Sequence, residues 1–394
     1  MLDFLRFDPA GCAFPRPFAP VLPALQFAGL SLSGSEAAVL DGPGTHHFAR
    51  GRYALAHAYR LAGVGAGGAL LAPAYHCRTM LDPALALGAP VQFYPLKADL
   101  TPDLPALEAL LDQTTRGAPV KALLLTHYFG IEQDAVLVRD LAALCRARGI
   151  ALVEDCSHAW QVAAKRANAG VAGPQHMIVA SPYKFFACED GGMLWSGAAS
   201  PAPATRSPGL LRELKALRDA MARRSAAAAL ATPALASQAD PVAIRRGADH
   251  RESQATPSPM YQAAHAQDRS LALSRFVMRH SRTDAIVAAR RRHYAQWTEA
   301  LQGVAGARVL FPQLAADCAP YMLALLIERP DPCFYQLKLA GMPIWRWDDM
   351  ALATDPACAI AQHYRLHLLH LPCHQGLSAQ QMAAMTALVA KVLA

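Results

Sequence analysis

The 394-residue sequence is poor in charge and has no long apolar run, no closely paired cysteines and no internal repeat. Charged residues make up 17% of the chain and hydrophobic residues 53%. The usual charged share is about 25%, and a chain this apolar buries enough surface to offset the entropy of ordering, so extended disorder is excluded. The most apolar tract, residues 226–236, is interrupted by Pro233. It falls well short of the ~20 residues that cross a bilayer, so no membrane span is expected. Nine cysteines at irregular spacing, none in a C-x-x-C pair, exclude a zinc ribbon and a dithiol redox motif. Cys145, Cys156 and Cys318 lie in apolar runs and read as buried, reduced thiols. The net charge is +7, but the basic runs Arg245-Arg246 and Arg290-Arg291-Arg292 are short and carry no interleaved aromatics. Nucleic-acid binding is therefore not expected. The 15 histidines are scattered and mark no metal site. The opening Met-Leu-Asp-Phe-Leu-Arg lacks the layout of a signal peptide, which gives a cytoplasmic expectation.

What is present is an alternation of short apolar runs with helical patterns. Residues 1–40, rich in Pro, Phe and Ala, read as an N-terminal arm over the surface. Residues 53–61 have helical spacing and stop at Gly63-Val64-Gly65. Buried strands are expected at 69–72, 91–94, 120–126 and 150–153, with helices at 104–111 and 136–147 between them. Continuous apolar strands separated by helices indicate an α/β fold with a mostly parallel sheet covered on both faces. Such sheets bind ligands beyond the carboxyl ends of their strands. That draws attention to Pro73-Ala74-Tyr75-His76, His127-Tyr128-Phe129-Gly130 and Glu154-Asp155-Cys156-Ser157-His158. The pattern weakens over 199–270, where a charged helix at 210–224 is followed by an Ala/Ser/Pro-rich and then a polar stretch. This reads as an insertion or a mobile region within a large domain spanning 41–270. Residues 271–394 read as a small α+β domain. It holds one long helix from 275 to about 301 with many arginines on its exposed side, a strand at 321–327 and a C-terminal helix capped by Ser378.

The chemistry concentrates in Ser181-Pro182-Tyr183-Lys184-Phe185-Phe186, followed by Gly191-Gly192. Lys184 stands among aromatics, where desolvation frees a neutral amine able to condense with a carbonyl; a lysine merely snorkelling from a strand end fits the same pattern. Ser181, three residues earlier, is placed to bind a phosphate. Asp155 follows a buried strand at the ligand edge of the sheet, either seeking a cation such as a protonated pyridine nitrogen or capping the next turn. Together, a lysine for an aldehyde and an aspartate for a ring nitrogen are the paired requirements of pyridoxal phosphate, PLP. Ser181-x-x-Lys184 also matches the serine–lysine spacing of penicillin-binding acyl-transfer enzymes, but their S-D-N and K-T-G elements are absent.

Gly51-Arg52-Tyr53, Pro73-Ala74-Tyr75, Thr126-His127-Tyr128-Phe129-Gly130, Val153-Glu154-Asp155-Cys156-Ser157-His158, Ser181-x-x-Lys184 and Gly191-Gly192 occur in an order that resembles the fold-type-I PLP enzymes, most closely the DegT/StrS-type aminotransferases. Many members of that family aminate nucleotide-linked keto sugars. The resemblance covers about residues 45–200 well and the C-terminal part more loosely. It implies a large PLP-binding domain plus a small C-terminal domain. Lys184 becomes the aldimine lysine and proton carrier, and Asp155 the partner of the pyridine nitrogen. His158 falls near the ring hydroxyl, and Ser181, Gly51 and Arg52 at the phosphate, where Arg52 departs from the family's small Ser-Gly-Thr turn. Of Tyr75, His76 and Cys77, near the family's ring-stacking aromatic, His76 is assigned to that role. The family's Gly-x-Asn-x-Arg stretch has only a distant echo in Gly247-Ala248-Asp249-His250-Arg251, while Trp345-Arg346-Trp347 and Leu371-Pro372-Cys373-His374-Gln375 match positions at the active-site mouth.

The implied reaction is transfer of an amino group from a donor such as glutamate to a keto or aldehyde acceptor, in a homodimer with active sites at the interface. A PLP-dependent lyase, dehydratase or carbon–carbon bond enzyme shares the same electron sink, although retention of Lys184 disfavours the family's dehydratases, which carry histidine there. A non-catalytic PLP-fold binding protein is the remaining alternative.

Overall fold

The computed structural model describes residues 1–8, 14–31, 37–113, 117–230 and 248–393. Its strands, in chain order, are β1 (Leu2–Asp8), β2 (Thr45–Phe48), β3 (Ala69–Pro73), β4 (Val91–Tyr94), β5 (Val120–Thr126), β6 (Ala151–Asp155), β7 (His176–Ala180), β8 (Gly192–Trp195), β9 (Ala248–Gln254), β10 (Ala307–Val309), β11 (Met322–Ile327), β12 (Asp349–Ala351) and β13 (Leu368–Pro372). Seven of them form the central sheet in the order β2-β8-β7-β6-β5-β3-β4. Pairings from β4 through β3, β5 and β6 to β7 are parallel, and β8 and β2 close one side antiparallel. Every residue of β3 and β6 is buried, as a strand covered on both faces requires. Helices Gly51–Ala62, Arg78–Ala86, Leu104–Gln113, Ala135–Ala147 and Trp160–Asn168 are the crossover elements. The first ends on Gly63 in the left-handed region, the stop that the sequence signals. Because β3, β5, β6 and β7 run in one direction, the segments after Pro73, Thr126, Asp155 and Ala180 emerge along one edge of the sheet.

A second sheet, β10-β11-β13, is antiparallel and packs with helices Thr283–Ala300, Pro330–Leu339 and Ala379–Leu393 around Trp297, Leu323, Leu325 and Leu371. Ser378 Oγ accepts the Gln381 amide (3.1 Å) while the Gln381 side chain accepts the Ser378 amide (3.0 Å), a reciprocal cap for the last helix.

Three expectations change. The N-terminal residues are not only a surface arm: β1 is the central strand of a third sheet, β12-β1-β9, with Phe4 buried beneath it. Its partner β9 comes from the stretch read as insertion-like, which also holds the helix Leu210–Ala228; residues 231–247, including Gly247 and the Arg245-Arg246 run, lie outside the described residues. The long helix from 275 is two helices, Ala272–His280 and Thr283–Ala300. The break exists because residues 29–31 pair with it: Ser31 N–H donates to His280 O and Arg282 N–H to Gly29 O (2.9 Å). Finally, Arg290 is fully buried rather than exposed.

All eight described cysteines are free, with Cys145, Cys156 and Cys318 buried. No helix among the described residues is long and apolar enough to cross a membrane.

Candidate active site

At the end of β6, Asp155 is buried, and one carboxylate oxygen accepts the Ser157 amide at 2.8 Å. Among the described residues no basic side chain pairs with it. At the end of β7, Ser181 leads into a single 3-10 turn, Pro182–Lys184, which proline opens with its fixed φ. The Lys184 side chain is half-buried, with its ammonium 5.6 Å from the centre of the Tyr321 ring.

The third wall is the N-terminus of helix Gly51–Ala62, whose free amides and dipole favour an anion. Gly51 has to be glycine here. A Cβ on it would fall 2.0 Å from Ser181 Oγ, which itself donates to Ser157 Oγ at 3.0 Å. Gly192 is required for a related reason, since a Cβ there would meet the Arg50 carbonyl at 2.2 Å. Gly51, Ser157, Ser181, Asp155 and Lys184 line one cleft, together with Arg50, Arg52 and Cys77. Arg50, which the sequence reading passed over, donates to Glu189 O (2.9 Å) and lies over the Tyr183 ring; Arg52 donates to Met260 O.

Gly51→Ala should displace the Ser181 hydroxyl and weaken anion binding in the cleft by about tenfold or more, with a stability loss of roughly 1–3 kcal/mol from overpacking. Isothermal titration and denaturant unfolding of the variant check this.

His158 lies against Lys184 from the other side. Its ring stacks on Tyr321 (4.4 Å between centres, 27° between planes), and its Nδ1 accepts the Phe129 amide at 3.4 Å. Burial, and then the Lys184 charge, push it well below the ordinary histidine range, so it is neutral with its proton on Nε2. Phe129 holds a left-handed backbone (φ 56°) that lets its carbonyl accept the Tyr321 amide at 2.7 Å. Trp347 packs on both Phe129 and His158.

His76 does not reach the cleft. Its ring is fully buried and stacked on Phe93 (5.0 Å, 7°); Nδ1 faces the Pro73 and Ala74 carbonyls, and Nε2 accepts the Ala351 amide at 3.0 Å. The chain leaves β3 such that the next residue, Cys77, faces the cleft instead. No sequence signal distinguishes these neighbours, because the direction of a strand exit is set by its tertiary contacts.

Behind the sheet, Glu154 points opposite to Asp155 and is gripped by His127 (2.7 Å), His176 (2.5 Å) and Arg166 (3.3 Å). Burial alone would raise its carboxyl, but the hydrogen bonds from both histidines hold it far below the usual range. This cluster ties the end of β6 to the residue that follows β5 and to the first residue of β7. Among the described residues no group of three or more His, Cys, Asp or Glu is arranged to hold a metal ion.

Buried histidines also set the acid limit of the fold. Burial lowers His76 to about 4, and His370 and His374 to about 3. Between these values and 6.5 the unfolded chain takes up protons that the folded chain refuses, so their contribution is complete above about pH 6.5 and is lost as pH falls. By pH 4.5 each should remove roughly 2–3 kcal/mol, seen as a steep fall in the urea midpoint.

The comparisons with known proteins agree with this geometry. Residues 46–202 match the DegT/DnrJ/EryC1/StrS aminotransferase family. No curated protein sequence matches the chain. Among solved structures, the chain is similar to the aminotransferase TlmJ from Streptoalloteichus hindustanus (22% identity, 91% of this chain and 89% of that one, TM-score 0.58). It is also similar to Helicobacter pylori PseC, an aminotransferase involved in the biosynthesis of pseudoaminic acid (15% identity, 97% and 99%, TM-score 0.59). A third is S. venezuelae DesV in complex with a ketimine intermediate (18% identity, 98% and 91%, TM-score 0.57). At these identities the structural likeness establishes a shared fold along almost the whole chain. The matched segment contains the Asp155, Lys184 and Gly51 walls of the cleft, so the part of the chain that is similar to the DegT/DnrJ/EryC1/StrS aminotransferases is the part that builds the site.

Proposed function

We propose that this protein is a PLP-dependent aminotransferase that moves an amino group from a donor such as glutamate to a keto or aldehyde acceptor. The observation that carries the reading is the meeting of Lys184 and Asp155, from adjacent parallel strands, in a cleft closed by a helix N-terminus. The donor set suits a phosphate-bearing carbonyl cofactor. The Gly51 amide and the hydroxyls of Ser181 and Ser157 would hold the phosphate, with positive charge from Arg52 and Arg50. Asp155, buried and without a cationic partner among the described residues, would take the protonated ring nitrogen. The neutral His158 has an Nε2 proton to donate towards the ring hydroxyl. When bound, PLP supplies the carbonyl that accepts the amino group and a ring that withdraws an electron pair. Lys184 Nζ has no hydrogen-bond or ion-pair partner among the described residues, so it is free to condense with that carbonyl and, when displaced, to move a proton. The chain is further proposed to act in the cytoplasm as a homodimer, which sedimentation of the active species would test; a fully active monomer would contradict the dimer.

The test of function is transfer of label. With 15N-glutamate, the PLP-loaded protein should acquire the label and pass it to a ketone or aldehyde while its visible absorption band shifts. Stable binding of PLP without transfer to any carbonyl acceptor would overturn the aminotransferase reading.

A further inference from the structure

Arg290 sits in the middle of helix Thr283–Ala300, with none of its surface exposed, and no carboxylate pairs with it among the described residues. A buried cation without a counter-charge is costly, and it persists only where its donors are fully used. All five guanidinium N–H groups have acceptors. Nε donates to Gln375 Oε1 (3.0 Å), Nη1 to Pro320 O (3.1 Å) and Tyr321 O (3.4 Å), and Nη2 to Lys184 O (2.9 Å) and Phe185 O (3.2 Å). Gln375 completes the ring of contacts by donating its Nε2–H to Phe185 O at 2.8 Å. Burial brings Arg290 down only to about 10, so it stays charged at neutral pH.

The segments joined here are far apart in sequence. One is the turn that carries Lys184. Another begins the strand of the second sheet and presents Tyr321, whose ring lies beneath the Lys184 ammonium and against His158. The third follows β13. The same face of the helix is tied to that third segment again, by His293 to His374 O (3.1 Å) and Trp297 to Pro372 O (2.9 Å). The guanidinium thus touches none of the cleft's reacting groups but fixes the backbone of two of the residues around the lysine amine.

We infer that Arg290, with Gln375, is a positioning residue that sets the Lys184 turn against Tyr321 and so aims the lysine amine. The inference rests on the proposed use of Lys184 as the Schiff-base residue. A lysine at position 290 could not substitute, because it offers three donors on a compact charge instead of a planar fork of five. A sub-ångström to 1 Å misplacement of a reacting group is enough to cost on the order of 100-fold in rate.

The experiment compares wild type, Arg290→Lys, Arg290→Gln and Gln375→Ala in PLP binding, in the rate at which borohydride traps PLP on Lys184, and in kcat and KM. Circular dichroism monitors folding. Both Arg290 variants should bind PLP within about tenfold of wild type, since the phosphate groups are untouched. They should form the trapped Lys184 adduct about 10- to 100-fold more slowly and lose kcat by a similar factor with little change in KM. Gln375→Ala, which leaves the buried cation in place, should show a smaller loss of about 3- to 10-fold in the same two rates. Unchanged adduct rate and kcat in the variants, with only the melting temperature lowered, would overturn the inference and leave Arg290 purely structural. Should both Arg290 variants fail to fold, wild-type rates in Gln375→Ala would overturn it equally. Failure of the underlying reading looks different: wild type itself would then yield no adduct on Lys184.

Discussion

Lys184→Ala is expected to lower amino transfer by at least about 10⁴-fold, because it removes both the amine that condenses with the cofactor and the group that carries the proton. The same variant should remain folded. The Lys184 side chain is half-buried and holds no hydrogen bond or ion pair among the described residues, so its loss should change stability by less than about 1 kcal/mol. PLP should still bind through the groups around Gly51 and Ser181, without a borohydride-stable link to the protein. Assay of amino transfer, a urea unfolding curve and equilibrium dialysis of the cofactor separate these three outcomes. A variant that retained more than a few per cent of wild-type activity would mean another group does the chemistry.

Asp155→Asn should produce the second-largest loss. Asparagine can still accept the Ser157 amide at the position of the present 2.8 Å contact, so the local turn should survive. What disappears is the negative charge, buried at the end of β6, that would keep a ring nitrogen protonated. Removing one member of a buried charge pair costs about 2–5 kcal/mol, so a fall in kcat of roughly 10²- to 10³-fold is expected. The cofactor-free variant should be no less stable than wild type, because a buried carboxylate without a cationic partner is a burden on the empty fold. Steady-state kinetics and denaturant unfolding of the same preparation test both statements. A loss of activity matched by a loss of stability would point instead to a structural role in the turn.

How much of this was legible beforehand follows from where the forces are local. The apolar run at 120–126 is strand β5 at those same bounds, because a strand buried on both faces writes its burial directly into its sequence. The helix ending at Gly63 and the cap at Ser378 were readable for the same reason: backbone groups at helix ends need partners that sit within three residues. The placement of Lys184, Asp155, Ser181 and Gly51 in one cleft follows from parallel topology, since strands of one direction deliver their following residues to one edge. The misreadings are all tertiary. The break at Ser281 is made by residues 29–31, some 250 positions away. Arg290 in a run of three arginines looks solvated, and only the convergence of carbonyls from 184, 185, 320 and 321 makes it a buried one. His76 and Cys77 differ by one position, and the Phe93 ring and the Ala351 amide, which the local sequence does not contain, turn the histidine away.

The most direct test of the account is to load the purified chain with PLP, reduce it with borohydride, digest it and map the modified peptide by mass spectrometry. A single phosphopyridoxyl group on Lys184, absent when Lys184→Ala is treated in the same way, is the predicted result. Modification of a different lysine, or no covalent adduct from a folded protein saturated with PLP, would contradict it.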